Sequence, residues 1–126
     1  MQLRTPIAQI RGLGSAKEGV GHWKMQRLTA LANIVLVVWF LISAVSLAGA
    51  TYEETRAWLA SPISASLMLM LIISAFYHAK LGVQVVIEDY VHHEGIKLAA
   101  LTAVTLLCIA FGIACVVAVL KTSLGS

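Results

Sequence analysis

The chain has 126 residues, of which 60% are hydrophobic and 12% charged, with a formal net charge of +3 at pH 7. Its mean hydropathy of +0.89 is far above that of an ordinary water-soluble domain. Composition therefore excludes a soluble globular enzyme and indicates an integral membrane protein with a single domain, residues 1–126. We expect membrane lipid, and no nucleic acid, among its partners.

The N-terminal segment, residues 1–27, precedes the first apolar stretch. It carries five basic residues and one acidic residue, namely Arg4, Arg11, Lys17, Lys24 and Arg27 against Glu18. A cleavable signal peptide has a short positive end followed by an apolar core of about 7–15 residues, which this mixed segment lacks. We therefore predict a cap that lies at the membrane surface.

Three apolar stretches follow, at about residues 28–50, 63–87 and 96–120. About 20 apolar residues suffice to cross a bilayer, so the sequence predicts an all-α fold with three transmembrane helices. Pro62 stands at the start of the second helix, where its missing N–H costs nothing. By the positive-inside rule, the N-terminus lies on the cytoplasmic side of a bacterial cytoplasmic membrane, or on the matrix side of the mitochondrial inner membrane.

His78 interrupts the second stretch, which ends in Glu88-Asp89-Tyr90. An ionisable side chain at bilayer depth is costly, so we expect it to face protein, a cofactor or water. Eleven residues on a helix return to nearly the same face, roughly 16 Å further along, so His78 and Asp89 share a stripe. Ser74 and Gly82 lie one turn to either side of His78 on this stripe and leave room for a flat haem ring.

These residues alone leave several roles open. His78 is an axial haem ligand, a hydrogen-bonding group between helices, or part of a proton or ion route. One histidine supplies one axial bond, and the remaining histidines fall in predicted interface or aqueous segments, so a six-coordinate haem requires a ligand from a partner subunit. Tyr90 either donates a hydrogen bond to a ligand carbonyl or belongs to the aromatic belt of the membrane.

A longer motif carries a resemblance to a known family. The run from His78 to His92, HAKLGVQVVIEDYVH, resembles the signature of the D-type hydrophobic membrane anchor of succinate dehydrogenase, respiratory complex II. The pattern is His, then Gly four residues on, Gln six on, and Asp-Tyr eleven and twelve on. The segment from Gly21 to Ala30, GHWKMQRLTA, is similar to the same family's approach to its first span.

The resemblance implies a specific set of roles. His78 would be an axial ligand of haem b, with the other axial histidine supplied by a C-type anchor, so that this chain forms half of a haem-containing helix bundle. Tyr90 and Asp89 would lie in the pocket for ubiquinone, the substrate, beside the iron–sulfur subunit. Arg27 would lie near the haem propionates, since a guanidinium suits carboxylates. Succinate would be oxidised in a separate flavoprotein subunit, because this chain has no flavin or cluster motif and is not catalytic alone.

Other classes of function remain as alternatives. One is a haem-free membrane interaction or assembly subunit in which His78 only packs. Another is the anchor of a fumarate reductase, which runs the reaction in reverse. A third is a small transporter or channel subunit with His78 and Asp89 along an ion route, although the chain lacks the second intramembrane acid or interrupted helix common in such sites.

Overall fold

The computed structural model describes residues 17–125, with side chains from residue 19 onward. The predicted orientation signal of Arg4 and Arg11, and most of the predicted surface cap, lie outside the described residues. Residues 17–125 form four helices and no strand: α1 Lys17–Ser46, α2 Tyr52–Ala60, α3 Pro62–Tyr90 and α4 Glu94–Ser123. Three of them, α1, α3 and α4, are long and apolar enough to cross a membrane. This confirms the all-α, three-span prediction.

The first helix differs from its predicted bounds. α1 begins at Lys17 rather than near residue 28, and it ends at Ser46 rather than near residue 50. A 30-residue helix is about 45 Å long, whereas the hydrocarbon layer is about 30 Å thick. Hydropathy marks the hydrocarbon layer and not the helix end, so the basic residues that follow Lys17 extend the same helix beyond the apolar part.

The connection between α1 and α3 contains the short helix α2, which hydropathy did not predict. Gly49 adopts a left-handed φ of +84°, which turns the chain after α1. Thr51 then caps α2: its hydroxyl accepts from the Glu54 N–H at 3.2 Å, and the Glu54 carboxylate accepts from the Thr51 N–H at 2.7 Å. The backbone and side-chain hydrogen bonds with Thr51 hold the pKa of the Glu54 carboxyl below its usual value. Pro62 occupies the first turn of α3 after the N-cap Ser61, as predicted.

α3 is the central helix of the bundle. It packs against both α1 and α4, whereas α1 and α4 do not contact each other within residues 17–125. α2 lies against α3 and α4, and its Trp58 stacks on Trp39 of α1 with ring centroids 5.7 Å apart. The two long contacts that define the fold, α1 with α3 and α3 with α4, therefore occupy different sides of one helix.

The buried core is thin. Among the described residues, those with less than about one tenth of their surface exposed are Leu36, Leu81, Ile87, Val119, Thr29, Ser43 and Ser64. On α1 the buried residues Thr29, Leu36 and Ser43 recur every seven positions, the spacing of a helix-packing seam. Small hydroxyl residues allow close approach of membrane helices, and the large exposed apolar surface suits lipid and partner helices.

The turn between α3 and α4 holds the end of one helix beside the start of the other. Only Val91, His92 and His93 separate Tyr90 from Glu94. His93 caps α4, because its Nδ1 accepts from the Ile96 N–H at 3.3 Å. This gives a structural role to a histidine that sequence reasoning left without one.

Candidate functional site

His78 reaches from α3 to a buried hydroxyl on α1. Its Nδ1 lies 3.0 Å from Thr29 Oγ1, and Thr29 is only 7% exposed. Within residues 19–125, His78 Nε2 forms no hydrogen bond. The imidazole thus uses one ring nitrogen for a bond between helices and keeps the other for a further partner.

Ser74 provides a second polar contact between the same two helices. It lies one turn before His78, and its hydroxyl donates to the Thr29 carbonyl oxygen at 3.3 Å. A helical carbonyl has a second lone pair available for such a bond. Both the backbone and the side chain of Thr29 are therefore joined to α3, which fixes how α1 is rotated toward His78.

An open groove of about 380 Å³ runs between α1 and α3 beside this contact. Thr29 and Ser74 line part of it, so the groove passes the residues that position His78. The remainder of its wall is formed by Met25, Leu28, Ala32, Leu36, Met70, Ile73 and Tyr77. Its largely apolar surface suits a flat apolar group or a helix of another subunit.

Gly82 lies one turn after His78 and faces α1. A Cβ atom at this position would meet Gln26 Nε2 at 3.8 Å, an ordinary van der Waals distance. The space beside Gly82 is thus bordered by the Gln26 amide. The predicted packing of haem against Ser74 and Gly82 stays a prediction.

Arg27 lies about 200° around α1 from Thr29, since it is two residues away. Its guanidinium is exposed and lies 5.4 Å from the centroid of the Trp23 ring. Among the side chains of residues 19–125 it forms no ion pair with Asp or Glu. The stacked guanidinium is therefore available to an acidic group other than the side chains of residues 19–125.

Asp89 and Tyr90 form the last turn of α3. The Tyr90 side chain is 78% exposed, and Asp89 is exposed beside it. Neither side chain forms a hydrogen bond within the described part of the chain. The adjacent Glu88, by contrast, accepts from the Gln84 amide at 3.1 Å. The helix rise puts Tyr90 about 18 Å along α3 from His78.

Sequence reasoning missed a polar stripe on α1. His22, Gln26, Thr29 and Asn33 follow one another at spacings of four, three and four residues. His22 Nε2, Gln26 Oε1 and Asn33 Oδ1 are buried without a hydrogen-bond partner among the described residues. The signal was present as polar residues at helical spacing that continue from the N-terminal segment into the first apolar stretch, and it marks the face of α1 that turns toward the polar contact with α3. His22 belongs to this stripe, whereas the sequence placed it at the membrane interface.

Comparison with known proteins identifies the family to which the chain is related. A family described as succinate dehydrogenase/fumarate reductase transmembrane subunit matches residues 1–119. The chain is 34% identical over 116 residues to a succinate dehydrogenase hydrophobic membrane anchor subunit of Rickettsia bellii, covering 92% of this chain and 93% of the relative. The corresponding subunit of Rickettsia conorii is 31% identical, with 91% and 92% covered.

A bacterium of another genus provides a third match. The hydrophobic membrane anchor subunit of Paracoccus denitrificans succinate dehydrogenase is 31% identical over 90 residues, which cover 71% of this chain and 70% of the relative. The family match extends over nearly the whole chain, and the three membrane-length helices fit a multi-pass membrane protein. The chain therefore belongs to the succinate dehydrogenase/fumarate reductase transmembrane subunit family, as a hydrophobic membrane anchor subunit.

Proposed function

We propose that this chain is the D-type anchor of a succinate:quinone oxidoreductase. It would bind haem b together with a C-type anchor, complete the ubiquinone site, and dock the iron–sulfur and flavoprotein subunits on the membrane. The observation that carries the proposal is the divided use of one imidazole: His78 Nδ1 is engaged by Thr29, while Nε2 forms no hydrogen bond within residues 19–125. The interhelical bond and the haem-ligand role are thus compatible, because each uses a different nitrogen.

The residues present suit a haem. An axial histidine ordinarily donates its second N–H to a fixed partner, which orients the ring, and Thr29 Oγ1 lies 3.0 Å from Nδ1, within reach of such a bond. Haem b, when bound, would supply a reversible one-electron centre within the membrane. His78 would hold the iron, and Arg27, held by its stacking on Trp23, would bind the propionates.

Tyr90 and Asp89 would form this chain's part of the quinone site. The Tyr90 hydroxyl would donate to a ubiquinone carbonyl and stabilise the negative charge that develops there during reduction. Asp89, the adjacent residue, would orient that hydroxyl or relay a proton to it. The proposal is supported by the high exposure of Tyr90, which leaves the hydroxyl open to a partner.

The proposed direction of insertion rests on the distribution of charge. Lys24 and Arg27 near the start of α1 favour the cytoplasmic or matrix side for that end of the bundle. α3 would then return to the same side, so that Tyr90, His92 and His93 face the soluble subunits. The short turn after Tyr90 would be part of the surface on which those subunits dock.

The test of haem binding is an affinity purification of the complex in mild detergent with a reduced-minus-oxidised optical spectrum. We expect a flavoprotein, an iron–sulfur protein and a second anchor to co-purify together with a b-type absorbance band. His78→Ala should remove most of that band, whereas Thr105→Val, whose hydroxyl bonds only the Leu101 carbonyl of its own helix, should retain it. An unchanged band in His78→Ala would refute ligation by this residue, and purification without the soluble subunits would refute docking.

The test of the quinone site compares two exposed tyrosines. Tyr90→Phe should lower ubiquinone reduction about tenfold, as expected for one lost hydrogen bond, with little change in succinate-dependent reduction of an artificial dye. Tyr52→Phe, 72% exposed at the start of α2, is the matched control and should change neither rate. Equal loss of both activities in Tyr90→Phe would contradict a specific role at the quinone.

A further inference from the structure

We propose that Thr29 is the positioning residue of His78. Its hydroxyl oxygen accepts a hydrogen bond from the Nδ1–H group, and this bond fixes the tautomer in which Nε2 carries the free lone pair. This inference rests on the proposed haem-binding function and deepens it. The family motif from His78 to Tyr90 contains no hint of it, because Thr29 lies on another helix.

The assignment of the protons follows from the neighbours of one oxygen atom. Thr29 Oγ1 lies 2.7 Å from the Met25 carbonyl oxygen and 3.2 Å from that of Gln26. Both carbonyls are acceptors only, and the hydroxyl has a single proton. If Nδ1 of His78 carried no proton, Nδ1 and the Met25 carbonyl oxygen would both need the single hydroxyl hydrogen of Thr29. One of these two contacts would then bring two lone pairs together with no hydrogen between them. A protonated Nδ1 removes the conflict, because the hydroxyl donates to Met25 and accepts from His78.

The accepting hydroxyl is held in place from several directions. Thr29 is 7% exposed, so bulk water has little access to it. Its β-branched side chain has few χ1 rotamers in a helix, and the bond to Met25 selects one of them. Ser74 binds the Thr29 carbonyl from α3, which fixes the backbone on which the hydroxyl stands. A hydroxyl constrained in this way sets the rotation of the imidazole as well as its tautomer.

The expected consequence is electronic and structural. A histidine that donates its second N–H becomes a more basic ligand, and its ring orientation is fixed. A more basic axial imidazole favours oxidised iron and therefore lowers the midpoint potential of the haem. Removal of the Thr29 hydroxyl should raise that potential, and it should weaken haem retention about tenfold.

The experiment compares two threonines in the purified complex by redox titration of the haem band and by haem content per flavin. Thr29→Val keeps the shape of the side chain and removes the acceptor, and we expect a tenfold shift of the oxidised-to-reduced equilibrium, about 59 mV upward for one electron. Thr29→Ser keeps the hydroxyl and should restore the original potential. Thr105→Val is the matched control, since the Thr105 hydroxyl bonds only the Leu101 carbonyl of its own helix, at 2.8 Å, and it should leave the potential unchanged.

If the Thr29→Val complex assembles and its haem has the same midpoint potential as the haem of the Thr105→Val complex, the inference is overturned. If Thr29→Val does not assemble, Thr29→Cys replaces the hydroxyl by a weaker acceptor and should shift the potential part of the way. An unshifted potential in Thr29→Cys would also overturn it. His78→Ala separates the two levels: retention of haem in that variant refutes haem binding through His78, whereas loss of haem there with no shift in the Thr29 variants refutes only the role of Thr29.

Discussion

α3 contacts its two neighbours by different means. Toward α1 the contact is polar: Thr29 is bonded by both Ser74 and His78. Toward α4 part of the contact is apolar, and a Cβ atom at Gly112 would meet the Phe76 ring at 3.8 Å. An apolar groove of about 380 Å³ runs along this second contact. In this bundle, the hydrogen bonds between α1 and α3 thus lie at His78, the side chain whose orientation matters for the proposed site, whereas packing of Phe76 on Gly112 joins α3 to α4.

The largest effect on stability is expected at the apolar contact. Phe76→Ala removes the ring that packs on Gly112 and should destabilise the assembled complex by about 2 kcal/mol, less than for a fully buried phenylalanine because Phe76 is half-buried. The haem band of the complex that does assemble should be intact, since the α1 contact is untouched. The measurement is the thermal-unfolding midpoint, with the exposed Phe111→Ala as control. Loss of haem without loss of stability would contradict the division between the two faces.

A pair of glycines sharpens the comparison. Gly82→Ala on α3 and Gly112→Ala on α4 introduce the same methyl group at the same 3.8 Å distance from the nearest side-chain atom, the first at the contact of α3 with α1 and the second at the contact of α3 with α4. If haem packs beside Gly82, the methyl group there should lower haem content per flavin about tenfold, the effect of a modest steric cost. Gly112→Ala should leave haem content unchanged. Equal haem content in both variants would show that the ring does not approach Gly82.

The hydrogen bond from Ser74 should have a smaller effect. Ser74→Ala removes an interhelical bond of 3.3 Å and should cost roughly 0.6 kcal/mol, the typical value for such bonds in membrane proteins. Ser66→Ala is the control, because the Ser66 hydroxyl bonds only the Pro62 carbonyl in its own helix. The thermal-unfolding midpoint of Ser74→Ala should be about a degree lower than that of Ser66→Ala. Identical midpoints would indicate that this bond adds no stability.

The smallest expected effect lies away from both faces, in the cap of α2. The pKa of Glu54 is lower in the folded protein than in the unfolded chain, so its contribution to stability is present above the unfolded pKa and is lost as the pH falls through the folded pKa. Glu54→Gln should therefore reduce the difference in thermal midpoint between neutral and acidic pH by a small amount. Haem content and quinone reduction should not change. A change in haem content or in the rate of quinone reduction would show that α2 influences the site.

Much of the fold was predictable from the sequence, because three long apolar runs admit few alternatives. The position of His78 and Tyr90 on one continuous helix followed from helix geometry. The ends of α1 did not follow, since hydropathy reports burial in lipid and not the helical continuation of basic residues beyond it. The cap of α2 could be predicted from Thr51 and Glu54, three residues apart, but a search for membrane spans does not detect this signal.

The site was only partly predictable. The motif from His78 to Tyr90 identified candidate residues, yet it did not identify Thr29, which acts from a different helix. A partner between helices depends on how two helices are rotated against each other, and that rotation is set by packing along the whole contact. The polar residues of α1 indicate, in retrospect, which face of that helix turns inward. The sequence alone does not say which side chains of α3 they contact.

The unbroken course of α3 has a final consequence for the spacing of the two proposed centres. His78 and Tyr90 are twelve residue steps apart on a regular helix, so their separation and angular offset are set by residue number alone. One inserted residue between them would move the phenol about 1.5 Å further from the imidazole and turn it by about 100° around the axis. A change of length within this stretch would therefore alter both the distance and the direction from the imidazole to the phenol, whereas a substitution that keeps the helix intact would alter neither.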